Sequence, residues 1–100
     1  GQDRPETEKK SSAPAPRPSR ERLLDLRSEV RKCEARMAKL EEMRDELARR
    51  LGDPASYKEE NAARTAVWQS KYAEVMDALE KAETLWLAAA EKLERAERAA

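Results

Sequence analysis

The stretch Leu47-Ala48-Arg49-Arg50-Leu51-Gly52-Asp53-Pro54-Ala55-Ser56-Tyr57 decides how this chain folds. One helical pattern runs into it and a second leaves it. Gly52 can end a helix in the left-handed C-cap conformation, while Asp53 followed by Pro54 supplies an N-cap and a proline in first-turn position. Upstream, Leu23, Leu26, Val30, Cys33, Met37, Leu40, Arg44, Leu47 and Leu51 recur at alternating spacings of three and four. Downstream, the same alternation carries Asn61, Thr65, Trp68, Tyr72, Val75, Leu79, Ala82, Trp86, Ala89, Leu93 and Ala96. Each series is one seam on an otherwise polar rod, so neither helix can bury its apolar side alone. Two such rods joined by a short break predict an all-α fold, a two-helix antiparallel coiled-coil hairpin.

The hairpin is expected over residues 19–100, with a helix over 19–51, a tip over 52–57 and a second helix over 58–98. Ser19 suits the N-cap of the first helix, because its hydroxyl can accept from the free amides of the first turn. Residues 1–18 hold four of the five prolines and no large aliphatic side chain, which predicts a disordered linker. That polar start reads as the continuation of a longer chain.

Antiparallel partners have residue numbers of constant sum, which makes the register testable. A sum of 112 sets Leu26 against Trp86, Met37 against Val75 and Leu47 against Thr65, and it closes the loop in nine residues. It also puts Arg44 over Trp68 as a cation on an indole face. A sum of 119 is the rival. It places Leu51 across from Trp68 and needs a longer loop, so 112 is preferred. Tyr57 is expected to cover the tip by packing back toward Leu51. The remaining aromatics, Trp68, Tyr72 and Trp86, fall on the seam as core residues.

With 100 residues, 42% of them charged and only two glycines, the chain has room for one small module and no substrate cavity. It has no histidine, and no Gly-rich phosphate loop or nucleophile–base arrangement can be read in it, so this fragment is expected to be non-catalytic. No stretch approaches the roughly 20 apolar residues of a membrane span and no secretory signal opens the chain, which predicts a cytoplasmic protein without membrane contact. The single cysteine, Cys33, falls on the apolar seam and reads as a small core residue.

The whole chain is neutral, with 21 basic and 21 acidic residues, so any pull on nucleic acid must come from local clustering. Residues 17–39 carry eight basic residues against four acidic ones. Arg20, Arg27 and Arg31 follow spacings of seven and four and so share one side of the first helix, where they can track a phosphate backbone. Arg17 and Lys32 flank that row, and Arg49, Arg50 and Lys58 form a second basic group at the tip. These eight residues are the candidate nucleic-acid contacts. The bland alternative is that long basic side chains solvate the rod and shield its seam.

The run Leu40-Glu41-Glu42, followed by Glu46-Leu47-Ala48 and then Gly52-Asp53-Pro54-Ala55-Ser56-Tyr57, resembles the tip of the C-terminal domain of ABC-F ATPases, particularly their Uup-like branch. Leu79-Glu80-Lys81-Ala82-Glu83 leading to Leu85-Trp86 resembles the ending of the same domain. The likeness covers about residues 19–98. It implies a C-terminal DNA-binding appendage of a soluble protein with two ATP-binding cassettes, in which ATP and magnesium belong to the parent and no cofactor belongs to this fragment. The implied partners are DNA or structured RNA, the ribosome, and the parent's own cassettes, with the hairpin a monomer. The chain departs from the family at Ser19-Arg20-Glu21, where no aromatic residue stands, so base stacking at that entry is not implied. The alternative function is a protein-interaction or spacer hairpin acting on the ribosome or on the cassettes. A third is a tRNA-contacting arm like those of some aminoacyl-tRNA synthetases, against which the Asp53-Pro54 tip argues.

Overall fold

The computed structural model describes residues 17–100. Helix α1 spans Arg20–Leu51 and helix α2 spans Ala62–Ala99, joined by two 3-10 turns, Pro54–Tyr57 and Glu59–Asn61. Among the described residues there is no strand, and the two helices pack along each other as a hairpin of 79 × 26 × 15 Å. The expected linker over 1–18 lies outside the described residues except for Arg17 and Pro18, which precede α1 without regular structure.

α1 begins where its cap residue allows. Ser19 is extended, and its hydroxyl accepts from the Arg22 amide at 3.0 Å. Arg49 and Arg50 occupy its last turn, where positive charge suits the negative end of the helix dipole. Every residue of the two seams is buried or half-buried. Leu26 is the most enclosed large side chain, 1% exposed, and Leu40, Leu47, Val75, Leu79 and Ala82 form the central cluster, with Met37, Trp68 and Tyr72 against it. Fully burying one leucine or valine in this way is worth about 1.5–3 kcal/mol.

Two expectations about the tip are corrected. Gly52 ends α1 at φ −82° and ψ −11°, in the right-handed region, and no described residue has a positive φ. The second helix starts at Ala62 and not at Lys58, because residues 54–61 are taken up by the 3-10 turns. Asp53 does cap the first of them: it is extended, and its carboxylate accepts from the Ala55 amide at 3.0 Å.

The longer tip changes the register. Arg50 lies over Trp68, Leu40 shares a groove with Ala78, and Trp86 reaches Glu34, so facing residue numbers sum to about 119, the rival register, and the preferred 112 is overturned. Closing the helices at 112 would require the chain to reverse in nine residues. In the structure Arg50 instead meets Trp68, so the folded tip 52–61 and the first turns of α2 all lie beyond the last facing pair, and the rival register costs no apolar contact because it also matches seam to seam. It sets Leu40 near Leu79, Met37 near Ala82 and Leu47 near Tyr72.

What makes the longer tip stable is a set of hydrogen bonds from short polar side chains. The buried Ser56 hydroxyl donates to the Arg50 carbonyl at 2.5 Å, and the Asn61 amide donates to the Ala55 carbonyl at 2.8 Å. Thr65, also buried, donates its hydroxyl to the Ser56 carbonyl and so ties the first turn of α2 to the tip. Tyr57 closes the set by donating to the Leu51 carbonyl at 2.6 Å, although its ring stays 62% exposed and is no apolar cover. Among the described residues no buried side-chain polar atom lacks a partner.

Thr65→Val keeps the side-chain volume and removes the donor to Ser56, which should lower stability by about 1–2 kcal/mol in urea unfolding. Gly52→Ala places a methyl 3.2 Å from the Ala48 carbonyl oxygen in a backbone region open to alanine. Crowding and the reduced freedom of the unfolded chain oppose each other there, and the change should stay within about 1 kcal/mol. A left-handed glycine would lose more than that.

Candidate nucleic-acid interface

The eight basic residues singled out by sequence are all exposed, but the fold does not gather them into one site. Arg17, Arg20, Arg27, Arg31 and Lys32 lie at the open end of the hairpin, whereas Arg49, Arg50 and Lys58 lie at the tip. The helical rise of 1.5 Å per residue separates Arg20 from Arg50 by roughly 45 Å.

At the open end, the return of α2 changes the electrostatics. Glu97 comes back beside α1 and its carboxylate pairs with Arg27 at 3.3 Å, each side chain 44% exposed. Of the candidates at this end, Arg17, Arg20, Arg31 and Lys32 form no ion pair among the described residues and stay open to a phosphate. The row foreseen as Arg20, Arg27 and Arg31 therefore has a neutralised middle member. Glu97 was missed because its position depends on the fold-back.

At the tip, Glu46 takes both arginines. It pairs with Arg50 at 3.2 Å and with Arg49 one helical turn along. Arg50 also lies over the Trp68 indole, 5.4 Å from the ring centre, and Arg64 joins it at 5.2 Å. Arg64 donates to the Asn61 side-chain oxygen Oδ1 at 2.9 Å, which holds it in place. The expected Arg44–Trp68 contact is not formed. At the observed register Arg44 falls near Tyr72, and its Nε donates to Asp45 at 3.0 Å. That hydrogen bond, with the charge of Asp45 behind it, raises the Arg44 pKa further above its already high value. Arg64 was not among the sequence candidates, although its position four residues before Trp68 was a readable signal for a cation on one face of a helix.

The three seam aromatics are half-buried, as read. Trp86 has a further role, since its indole N–H donates to Glu34 at 3.1 Å across the hairpin. Acid–base pairs four residues apart form along both helices, at Glu46–Arg50, at Asp77–Lys81 at 3.1 Å and at Glu94–Arg98 at 3.6 Å. Arg49, four residues after Asp45, turns to Glu46, and Asp45 pairs with Arg44.

Among the described residues no helix is long and apolar enough to cross a membrane. Comparison with protein-family models, with curated proteins and with solved structures finds no match to this chain.

Because the Arg27–Glu97 pair is nearly half exposed, holding it together contributes less than about 1 kcal/mol. Glu97→Gln should therefore leave the urea midpoint almost unchanged while releasing the Arg27 guanidinium to solvent.

Proposed function

We propose that this chain is a non-catalytic, DNA-binding accessory domain that grips phosphates electrostatically from its open end, appended to a soluble cytoplasmic ATP-binding protein of the ABC-F type. The observation that carries the reading is the set Arg20, Arg31 and Lys32, exposed and without ion-pair partners among the described residues on a long rod. Arg17 continues that set and Arg27 stands within it. The tip residues Arg49, Arg50 and Lys58 supply a weaker second contact, because Glu46 competes for the two arginines. Contacts of this kind position a protein on a duplex and carry no base sequence. ATP and magnesium would act in the parent's cassettes.

Three or four phosphate contacts imply a slope of about −3 in log affinity against log salt, which is a loss on the order of 50-fold between 50 and 200 mM salt. A mobility-shift titration with duplex DNA measures it. Reversing Arg20, Arg27 and Arg31 to Glu should abolish the shift while the helical circular dichroism stays intact, and Glu97→Gln should strengthen binding two- to threefold. Binding that ignores salt and these charges would reject the reading.

The second reading, a protein-interaction or spacer hairpin acting on the ribosome or on the parent's cassettes, is favoured by the neutral overall charge and by large apolar side chains left at the surface. Retained capture of a protein partner at high salt, with no affinity for DNA or RNA, would select it.

A further inference from the structure

The seam of α2 runs further than the present pairing uses. Facing numbers that sum to 119 set Leu23 level with Ala96 and Leu51 level with Trp68, so Asn61 and Thr65, which continue the three-and-four spacing, stand past the last facing pair. There they donate to the Ala55 and Ser56 carbonyls, and Ser56 donates to Arg50. Both positions have leucines to face if α2 moves one heptad toward the open end. Every seam residue of α1 then regains an opposite, from Leu23 with Ala89 to Leu47 with Thr65 and Leu51 with Asn61. Arg44, the one charge on either seam, passes from Val75 to Trp68, whose indole face suits a cation. A slide the other way has no such match, because it carries Trp68 and Tyr72 past Leu51, where α1 ends.

We infer that the hairpin is a two-position slide and that its folded tip is the catch. Two features hold it in the present position. One is the set of hydrogen bonds from Ser56, Asn61 and Thr65; the other is the cover that α1 gives Leu93 and Ala96, half-buried now and carried to the start of α1 and beyond by the slide. They sit at opposite ends of the rod, and the seam between them matches in either position. Intermediate offsets set apolar residues against polar ones, so the helices pass between two discrete registers and not through a continuum. Opening the tip therefore moves the C-terminal end of α2 outward by one heptad, roughly 10 Å. A ligand that prefers the open tip shifts the population by its differential affinity, and a pull on α2 at the open end opens the tip in return. The inference stands whether or not the chain binds nucleic acid.

Pulsed electron spin resonance on the full chain tests it, with nitroxides on Ala48→Cys and Glu91→Cys, both exposed positions, and Cys33→Ala to remove the native thiol. Glu91 is level with Ser28 now and with Glu21 after the slide, so at 1.5 Å per residue the labels stand roughly 30 Å apart and then roughly 40 Å apart. With the tip intact the short distance should dominate. Asn61→Leu with Thr65→Leu removes two donors of the catch and completes the slid seam, and it should shift the main population to the long distance with helicity unchanged. Adding Leu93→Gln weakens only the present register, since the slide uncovers that residue anyway, and should take the short distance away. Variants that stay helical and keep the short distance would overturn the inference. Loss of helicity without the long distance would do the same, because the tip would then be a structural cap and no catch.

Discussion

The hydrogen bond from Thr65 to the Ser56 carbonyl is the constraint on which this hairpin depends. Two seams of alternating three and four spacing can slide past each other by seven residues and still match, because a heptad shift maps seam onto seam. Apolar burial therefore defines a ladder of acceptable registers and leaves the choice among them to the turn. Ser56, Asn61 and Thr65 make that choice by building a tip that has its own buried polar contacts and holds α2 at one offset from α1. Short hydroxyl and amide side chains, with little rotamer freedom to lose, suit that task.

Once the offset is set, the electrostatics of the rod follow from it. A seven-residue slip relocates every cross-helix neighbour while leaving the core almost as apolar as before. Glu97 reaches Arg27, Glu34 receives the Trp86 indole, and Arg50 instead of Arg44 covers Trp68 because of this offset. The basic character of residues 17–39 is a property of a segment, whereas the field that a phosphate would meet is a property of the folded pair. The C-terminal acids of α2 lower that field at Arg27 and leave it at Arg20, Arg31 and Lys32.

The helices and their buried faces were legible because periodicity alone specifies them, and each seam residue from Leu23 to Ala96 is buried or half-buried as the spacing required. Ser19 and Asp53 were legible because capping is a local act between a side chain and an amide a few residues away. The register was not, since it turned on whether residues 54–61 form a folded tip, and Ser56 and Thr65 carry no signal of their partnership until the chain has reversed. Gly52 misled for a related reason: glycine permits a left-handed turn without requiring one, and the 3-10 turn that follows lets the chain leave α1 in an ordinary conformation. Of the candidate site, exposure of the basic side chains was readable, but their division between two ends and the acids beside them were not.

The proportions of the hairpin have a mechanical consequence. At 79 Å long and 15 Å through its thin direction, it is a strut whose two members brace each other along nearly their full length, with no proline or glycine inside α1 or α2 to act as a joint. A body that holds its open end can rotate by a few degrees and sweep the tip through a distance many times larger than the motion at the root. Leverage of that kind would let this small module report, or impose, an angular change far from where it is anchored.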